Sequence, residues 1–161
     1  MYQLLGDELF KNLILEAETS PRKRSHYLLH ASGDAPVQQI CIGFCNGSYV
    51  RPHLHPGANL WEHLVVLRGT VLLLLFSDAG MVTDRLELTQ GQGNNAITFP
   101  PNTWHTVLAV SQTAVLLETK EGPYQPRHHS EFATWAPAEG STQVEDFMQW
   151  GLTAQRGDRY P

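Results

Sequence analysis

The stretch "RPHLHPGANLWEHLVVLRG", residues 51–69, contains two histidines one residue apart, then a loop, then a glutamate beside a third histidine. Side chains on an extended strand alternate between two faces, so His53 and His55 point the same way. Their Cα atoms lie roughly 6.6 Å apart, close enough for both imidazoles to reach one ion at ~2.1 Å. The segment therefore predicts a metal site and leaves open whether Glu62 or His63 completes it.

The alternation of side chains along a strand allows only one of Glu62 and His63 to join the histidine pair, but it does not say which. A loop with Pro56 and Gly57 reverses the chain, and a returning antiparallel strand can present Glu62 beside the histidine pair. Glu62 and His63 are neighbours on that strand and must face opposite sides. A site with Glu62 leaves coordination positions open. A site with His63 would be histidine-only and closed, as in zinc sites.

A distant histidine strengthens the metal-site prediction. The stretch "FPPNTWHTV", residues 99–107, places a proline turn before a strand whose second residue is His105. From an adjacent strand, His105 can supply a fourth ligand. Neutral histidines with a carboxylate suit zinc, iron, manganese, cobalt or nickel, and the ligand set does not choose among them. We therefore expect one divalent metal ion of undetermined identity.

Size and charge restrict the class of protein. The 161 residues (18.0 kDa) fit one domain with a full hydrophobic core. The formal net charge of −5 disfavours a nucleic-acid partner, because no basic excess is present to neutralise phosphates. The N-terminus lacks the pattern of a signal peptide, and the apolar run at 65–76 is interrupted by Arg68 and Gly69. We therefore expect neither secretion nor a membrane span.

The two cysteines, Cys41 and Cys45, lie in one strand-like run, "VQQICIGFC". Four strand residues span ~13 Å, beyond the ~7 Å between Cα atoms that a disulfide tolerates. We expect two free thiols, which suits a reducing compartment, and therefore a cytoplasmic protein.

Hydrophobic periodicity predicts helices only at the two ends of the chain. A helical stripe covers 7–18, with Asp7 as the N-cap, and a second covers 142–152, where Thr142 and Glu145 match a capping box. Between them, turn signals separate short strands at roughly ten-residue spacing, which indicates a sandwich or a small barrel. The predicted strands are 25–31, 37–45, 48–55, 61–67, 70–76, 82–89, 95–99, 104–110 and 113–120.

Two motifs resemble those of the cupin family: G-x5-H-x-H-x6-E-x6-G over residues 47–69 and P-x-N-x-x-H over residues 100–105. The resemblance implies that His53, His55, Glu62 and His105 bind one divalent metal inside a double-stranded β-helix. It thereby places Glu62, rather than its neighbour, in the site. Asn102 stands where cupins usually have a turn glycine, and Asn tolerates left-handed backbone better than most residues.

A narrower resemblance covers nearly the whole chain. The segments "YVRPHLHP", "WEHLVVLRG", "FPPNTWHTV" and "KEGPYQP" are similar to WbuC-type cupin metalloproteins, small bacterial proteins associated with surface-polysaccharide gene clusters. We expect an all-β cupin jelly-roll barrel over 26–122, preceded by a helix and linker over 1–25 and followed by a loop and helix over 123–161. Since cupins commonly pair through edge strands, we also expect a homodimer.

Three charged residues are candidates for catalysis or substrate binding. Arg51 shares the parity of the first two histidines, so it can line the same pocket and hold an anionic group. Glu118 and Lys120 share a strand face with Leu116, and charges on a partly buried face need a partner or a function. No residue is an obligate general base.

Other polar residues have either a structural or a functional interpretation. Arg24, His26 and His30 either cover the mouth of the pocket or form a paired network, and the paired network is favoured. The adjacent His128 and His129 lie in a loop, and we assign them no metal role.

The leading functional hypothesis is a metal-dependent cupin enzyme acting on a small polar or anionic substrate, such as a sugar or sugar phosphate. The metal would act as a Lewis acid in an isomerase, epimerase or lyase step of surface-polysaccharide biosynthesis. The alternatives are an Fe(II)-dependent dioxygenase with the same open ligand set, and a non-catalytic module that binds a small molecule through the metal.

Overall fold

A computed structural model describes residues 2–124 and 130–161 of the chain. The helices and strands in chain order are α1 (Asp7–Thr19), β1 (Arg24–Leu28), β2 (Val37–Cys45), β3 (His53–Leu54), β4 (Glu62–Arg68), β5 (Thr70–Phe76), β6 (Val82–Thr89), β7 (Ala96–Phe99), β8 (Trp104–Ala109), β9 (Thr113–Glu121), β10 (Glu131–Phe132) and α2 (Val144–Thr153). No helix in these described ranges is long and apolar enough to cross a membrane.

The described strands form two antiparallel sheets of five. The first has the order β1-β2-β9-β4-β7 and the second the order β10-β3-β8-β5-β6. Alternating apolar side chains point from both sheets into a shared core, as a half-buried strand requires. Members of that core include Phe44, Leu64, Val71, Leu73 and Leu116. The architecture is the expected all-β jelly-roll barrel with a helix at each end of the chain.

The two helices cover the outer faces of the two sheets. Phe10 and Leu13 of α1 pack on Cys41 and Val115 of the first sheet. The fully buried Phe147 of α2 packs on the outer side of the second sheet. The helices therefore cover part of the outer face of each sheet, and the space between the sheets is the place for a ligand.

Two local predictions were wrong at helix N-termini. Gly6, not Asp7, is the N-cap of α1, and neither residue supplies a side-chain cap. The predicted capping box of α2 does not form, because the helix begins after Gln143. The Ser141 hydroxyl instead accepts the Gln143 backbone N–H at 3.2 Å, which makes a turn where the box was expected.

The predicted strand at 48–55 shrinks to His53–Leu54. Pro52 has no N–H to donate to a strand ladder. Side chains also take the carbonyls that a ladder would use: the Val50 carbonyl accepts the Thr106 hydroxyl, and the Tyr49 carbonyl accepts an Arg24 N–H. The backbone before the histidine pair is thus held by side chains rather than by a neighbouring strand.

Both cysteines are free thiols, as expected. Cys41 is buried under α1 and Cys45 is half-buried. Burial raises the pKa of the Cys41 thiol to about 11.

Candidate metal centre

Three histidines come together at one end of the space between the sheets. His53 on β3 and His105 on β8 are direct partners in the strand register, with ring centroids 4.3 Å apart. His55 follows β3, and its ring lies 5.1 Å from that of His53. One nitrogen from each of the three rings lies within 4.8 Å of the other two. The second sheet therefore presents a compact three-nitrogen group.

The hydrogen bonds of two rings prepare them to bind a cation. The Nδ1 of His53 lies 3.0 Å from the Arg51 carbonyl, and the Nδ1 of His105 lies 2.9 Å from the Thr103 carbonyl. A carbonyl only accepts, so each Nδ1 carries the proton and each Nε2 of the neutral ring presents a lone pair. Burial, together with the neighbouring charge of His105, holds the pKa of His53 well below its usual range, so this ring stays neutral.

Glu62 faces this group from the opposite sheet. Its carboxylate is 1% exposed, with Oε1 2.6 Å from His55 Nε2 and Oε2 3.1 Å from His105 Nε2. Burial alone would raise the pKa of Glu62, but attraction and hydrogen bonds from His105 and His55 outweigh it and hold the pKa well below its usual range. The same contact raises the pKa of His105 against the effect of burial. A buried carboxylate against imidazole nitrogens requires a shared positive charge, and a divalent metal ion fits that requirement.

His63 lies on the opposite face of β4, as strand parity requires. Its Nδ1 is 2.7 Å from the Thr98 hydroxyl on β7, away from the three-histidine group. The register of the barrel, which the local sequence does not encode, thus brings Glu62 and not His63 beside the three histidines.

Lys120 and Glu118 form an ion pair beside Glu62. The Lys120 Nζ lies 2.6 Å from Glu118 Oε1 and 3.7 Å from Glu62 Oε1. Burial lowers the pKa of Lys120, but the two carboxylates outweigh it and raise the pKa above its ordinary value. Lys120 is therefore an ammonium donor beside the candidate metal centre, and the shared strand face expected for the pair is present.

A cavity of about 310 Å³ opens from this group toward the surface. Among the described residues, its lining includes four permanent cations and three carboxylates: Arg22, Arg24, Arg51, Lys120, Glu62, Glu118 and Glu139. These seven groups carry a net charge of +1, although the formal net charge of the whole chain is −5. A divalent ion would raise the positive charge of the cavity to three.

Arg51 lines the cavity, and its guanidinium is held in place. Its Nε and Nη2 donate to the Ala133 carbonyl at 3.1 and 2.6 Å. Its Cζ lies 5.8 Å from the centroid of the Phe132 ring. The side chain is thus fixed against the short strand β10 at the edge of the cavity.

Arg24 and His26 also line the cavity, and Arg24 is part of a paired network. The Nη2 of Arg24 lies 2.5 Å from Glu139 Oε1, which Arg22 reaches at 2.9 Å. Burial raises the pKa of Glu139, but the hydrogen bonds and charges of Arg22 and Arg24 together outweigh it and lower the pKa below its ordinary value. His30 lies elsewhere, where its Nδ1 accepts the Gln39 backbone N–H at 3.1 Å.

Three residues of the lining had no signal in the sequence. All three follow the barrel in the chain: Ser130, Phe132 and Glu139. The Ser130 hydroxyl lies 3.3 Å from His55 Nδ1. They reach the cavity because β10 pairs with β3, a contact between segments about 80 residues apart. His128 and His129 lie outside the described residues.

Solved structures with a similar fold include KdgF from Halomonas sp., at 17% identity over 68% of this chain and 86% of that one, with a TM-score of 0.50. Oxalate decarboxylase from Bacillus subtilis is 15% identical over 62% of this chain, with a TM-score of 0.50. An RmlC-like cupin with a double-stranded β-helix fold from Methanocaldococcus jannaschii is 17% identical over 64% of this chain and 84% of that one, with a TM-score of 0.48. The present chain spans 24% of the length of the Bacillus decarboxylase.

The fold is therefore the cupin double-stranded β-helix, here with a candidate metal centre of three histidines. The family described as a domain of unknown function (DUF6016) matches residues 5–88, just over half of the chain, and the chain belongs to that family. None of the curated proteins compared with the chain matches it.

Proposed function

We propose that the chain is a metal-dependent cupin in which His53, His55, Glu62 and His105 hold one divalent ion and a small anionic substrate binds beside it. The observation that carries the proposal is the contact between a buried carboxylate and imidazole nitrogens from the opposite sheet. When bound, such an ion supplies Lewis-acid chemistry that polarises a carbonyl or hydroxyl oxygen.

The charged residues around the group favour an anionic substrate. Lys120 keeps its proton and donates hydrogen bonds from the side of β9, next to Glu62. The fixed guanidinium of Arg51 adds a second positive charge at the cavity wall. Substrate carboxylate or phosphate oxygens are the groups that such donors bind best.

The WbuC-type resemblance supports a more specific proposal, namely a sugar-type substrate and a role in surface-polysaccharide biosynthesis. An isomerase, epimerase or lyase step then uses the positive charge of the cavity to stabilise a developing oxyanion. The general cupin resemblance supports a homodimer, which light scattering on the purified protein tests directly.

Two other functions use the same residues. A ligand set of histidines and one carboxylate also suits an Fe(II)-dependent dioxygenase. A metal-dependent binding module would use the same charged cavity without turnover.

Metal analysis of protein purified without chelators is the first experiment. We expect about one divalent ion per chain, its loss in His53→Ala and His105→Ala, and its retention in His63→Ala, the matched control on the other face of β4. Unchanged metal content in the first two variants would contradict the ligand set.

The identity of the ion then separates the functions. Zinc or manganese with turnover in a screen of sugar phosphates and nucleotide sugars supports Lewis-acid catalysis. Iron with oxygen uptake supports the dioxygenase, and tight binding without turnover supports the binding module.

A further inference from the structure

Two aromatic side chains lie at the mouth of the cavity, in a lining that also includes the exposed Arg22 and Glu139. Phe132 is 51% exposed and Tyr124 is 46% exposed, and both line the mouth. Ile40 and Val50 lie half-buried in the same wall. Exposed aromatic side chains at the mouth of a concave site mark a binding surface more often than isolated surface residues do.

The cavity wall carries nonpolar as well as charged side chains. On β9 the inward-facing residues are Lys120, opposite Glu62, then Glu118, opposite Ile40 and Leu64, then Leu116, opposite Ile42 and Val66. Further nonpolar residues that line the cavity are Phe44, Leu64 and Val107. A ligand at the metal centre can therefore contact aliphatic side chains as well as the charged groups that line the cavity.

Phe132 is held in its position by its own contacts with His53 and by the hydrogen bonds of the next residue. It pairs with His53 in the β10–β3 ladder, and the two ring centroids lie 6.0 Å apart. The next residue, Ala133, donates its N–H to the Pro52 carbonyl at 2.9 Å and accepts the Arg51 guanidinium through its own carbonyl. An exposed aromatic ring that is fixed beside a candidate ligand loses little entropy when it contacts a substrate.

We propose that the substrate carries a nonpolar portion next to its metal-binding oxygens, and that Phe132 is a specificity-determining residue that contacts this portion. The inference rests on the proposed metal-dependent function and narrows its substrate class: among the sugar-type substrates proposed above, it disfavours the fully hydroxylated ones. The site accepts a small acid whose anionic, oxygen-rich head lies at the metal and whose body carries few hydroxyl groups. A fully hydroxylated sugar acid of the same length would place hydroxyl groups against the Phe132 ring, which cannot replace the hydrogen bonds lost from water.

A matched pair of acids tests the proposal on zinc-loaded protein by isothermal titration calorimetry. Gluconate and 2-hydroxyhexanoate have the same six-carbon length and the same 2-hydroxycarboxylate head, but only gluconate carries hydroxyl groups along its body. We expect 2-hydroxyhexanoate to bind at least tenfold more tightly than gluconate. We also expect roughly fourfold gain per buried methylene between 2-hydroxybutanoate and 2-hydroxyhexanoate.

Substitutions at the mouth identify the contact. Phe132→Ala should weaken 2-hydroxyhexanoate roughly fivefold to tenfold, leave glycolate unchanged, and be largely rescued by Phe132→Leu. Leu15→Ala is the control, since Leu15 is equally exposed at 51% but lies on α1, on the outside of the first sheet. Equal or tighter binding of gluconate, or an unchanged preference in Phe132→Ala, would overturn the proposal.

The head group alone reports on the underlying function. Glycolate binding that needs zinc and is lost in His105→Ala supports the metal centre, whatever the result for the longer acids. If none of the acids binds the zinc-loaded protein, both the metal-dependent function and the nonpolar contact are contradicted.

Discussion

Lys120 offers the sharpest test of the charge arrangement around the candidate metal centre. Its side chain is 7% exposed and that of Glu118 is 16% exposed. Lys120→Met keeps the nonpolar stem but leaves the Glu118 carboxylate partly buried without its 2.6 Å partner. Removal of one member of a buried pair costs about 3–5 kcal/mol. Because the Glu118 side chain remains partly exposed to solvent, we expect a cost at the lower end of that range, about 3 kcal/mol.

The matched variant removes the other charge of the pair. Glu118→Gln leaves Lys120 beside Glu62 at 3.7 Å, so we expect a smaller loss of about 1 kcal/mol. If the pair acts as a unit, the double variant should lose about 2 kcal/mol instead of the additive ~4 kcal/mol.

Urea unfolding followed by tryptophan fluorescence, in the presence of a chelator, measures these free energies without the contribution of a metal. A loss of about 3 kcal/mol corresponds to a fall in the melting temperature of roughly 6–12 °C for a chain of this size. A Lys120→Met variant within about 0.5 kcal/mol of the wild type, or strict additivity in the double variant, would refute the reasoning.

Three further predictions follow from local features of the fold. In native protein at pH 8, Cys41 should resist alkylation by iodoacetamide because burial raises its pKa to about 11, and Cys45 should be labelled first. Peptide mass spectrometry measures the order, and faster labelling of Cys41 would be evidence against its burial under α1. Gly43→Ala should destabilise the protein by about 1–3 kcal/mol, because a Cβ there would lie 2.9 Å from a side-chain atom of α1. Thermal unfolding measures the loss, and Gly6→Ala is the control that should be tolerated, because a Cβ at Gly6 has nothing within 4 Å. The fold lowers the pKa of Glu139, so the stabilisation from its carboxylate is present above the ordinary pKa and is lost as the pH falls through the lowered pKa. Solvent screening limits this stabilisation to about 1 kcal/mol, so acid unfolding should destabilise a Glu139→Gln variant less than the wild type.

The candidate metal centre was accessible from the sequence because its signals are local. Two histidines of equal parity, a turn and a distant proline-flanked histidine need only strand alternation to be placed together. Membership of Glu62 was not accessible in the same way. Glu62 and His63 occupy equally apolar strand faces, and only the pairing of β4 with β7 and β9 determines which of them points inward.

The mouth of the cavity could not be predicted, because it depends on contacts between distant segments. The two-residue strand β10 has no periodicity that could reveal it, and Phe132 reaches His53 only through pairing across the fold. The failed strand at 48–55 has a similar origin. Its apolar alternation is genuine, but Pro52 and the side chains of Arg24 and Thr106 take over the backbone groups that a ladder needs.

The central claim is that one divalent ion lies between the two sheets, bound by His53, His55, Glu62 and His105. Crystals of the protein purified without chelators, measured on both sides of the absorption edge of the bound metal, test it directly. The account predicts a single anomalous peak at about 2.0–2.3 Å from an Nε2 of each histidine and an oxygen of Glu62. A peak elsewhere in the molecule, or a metal coordinated by His63 in place of Glu62, would contradict it.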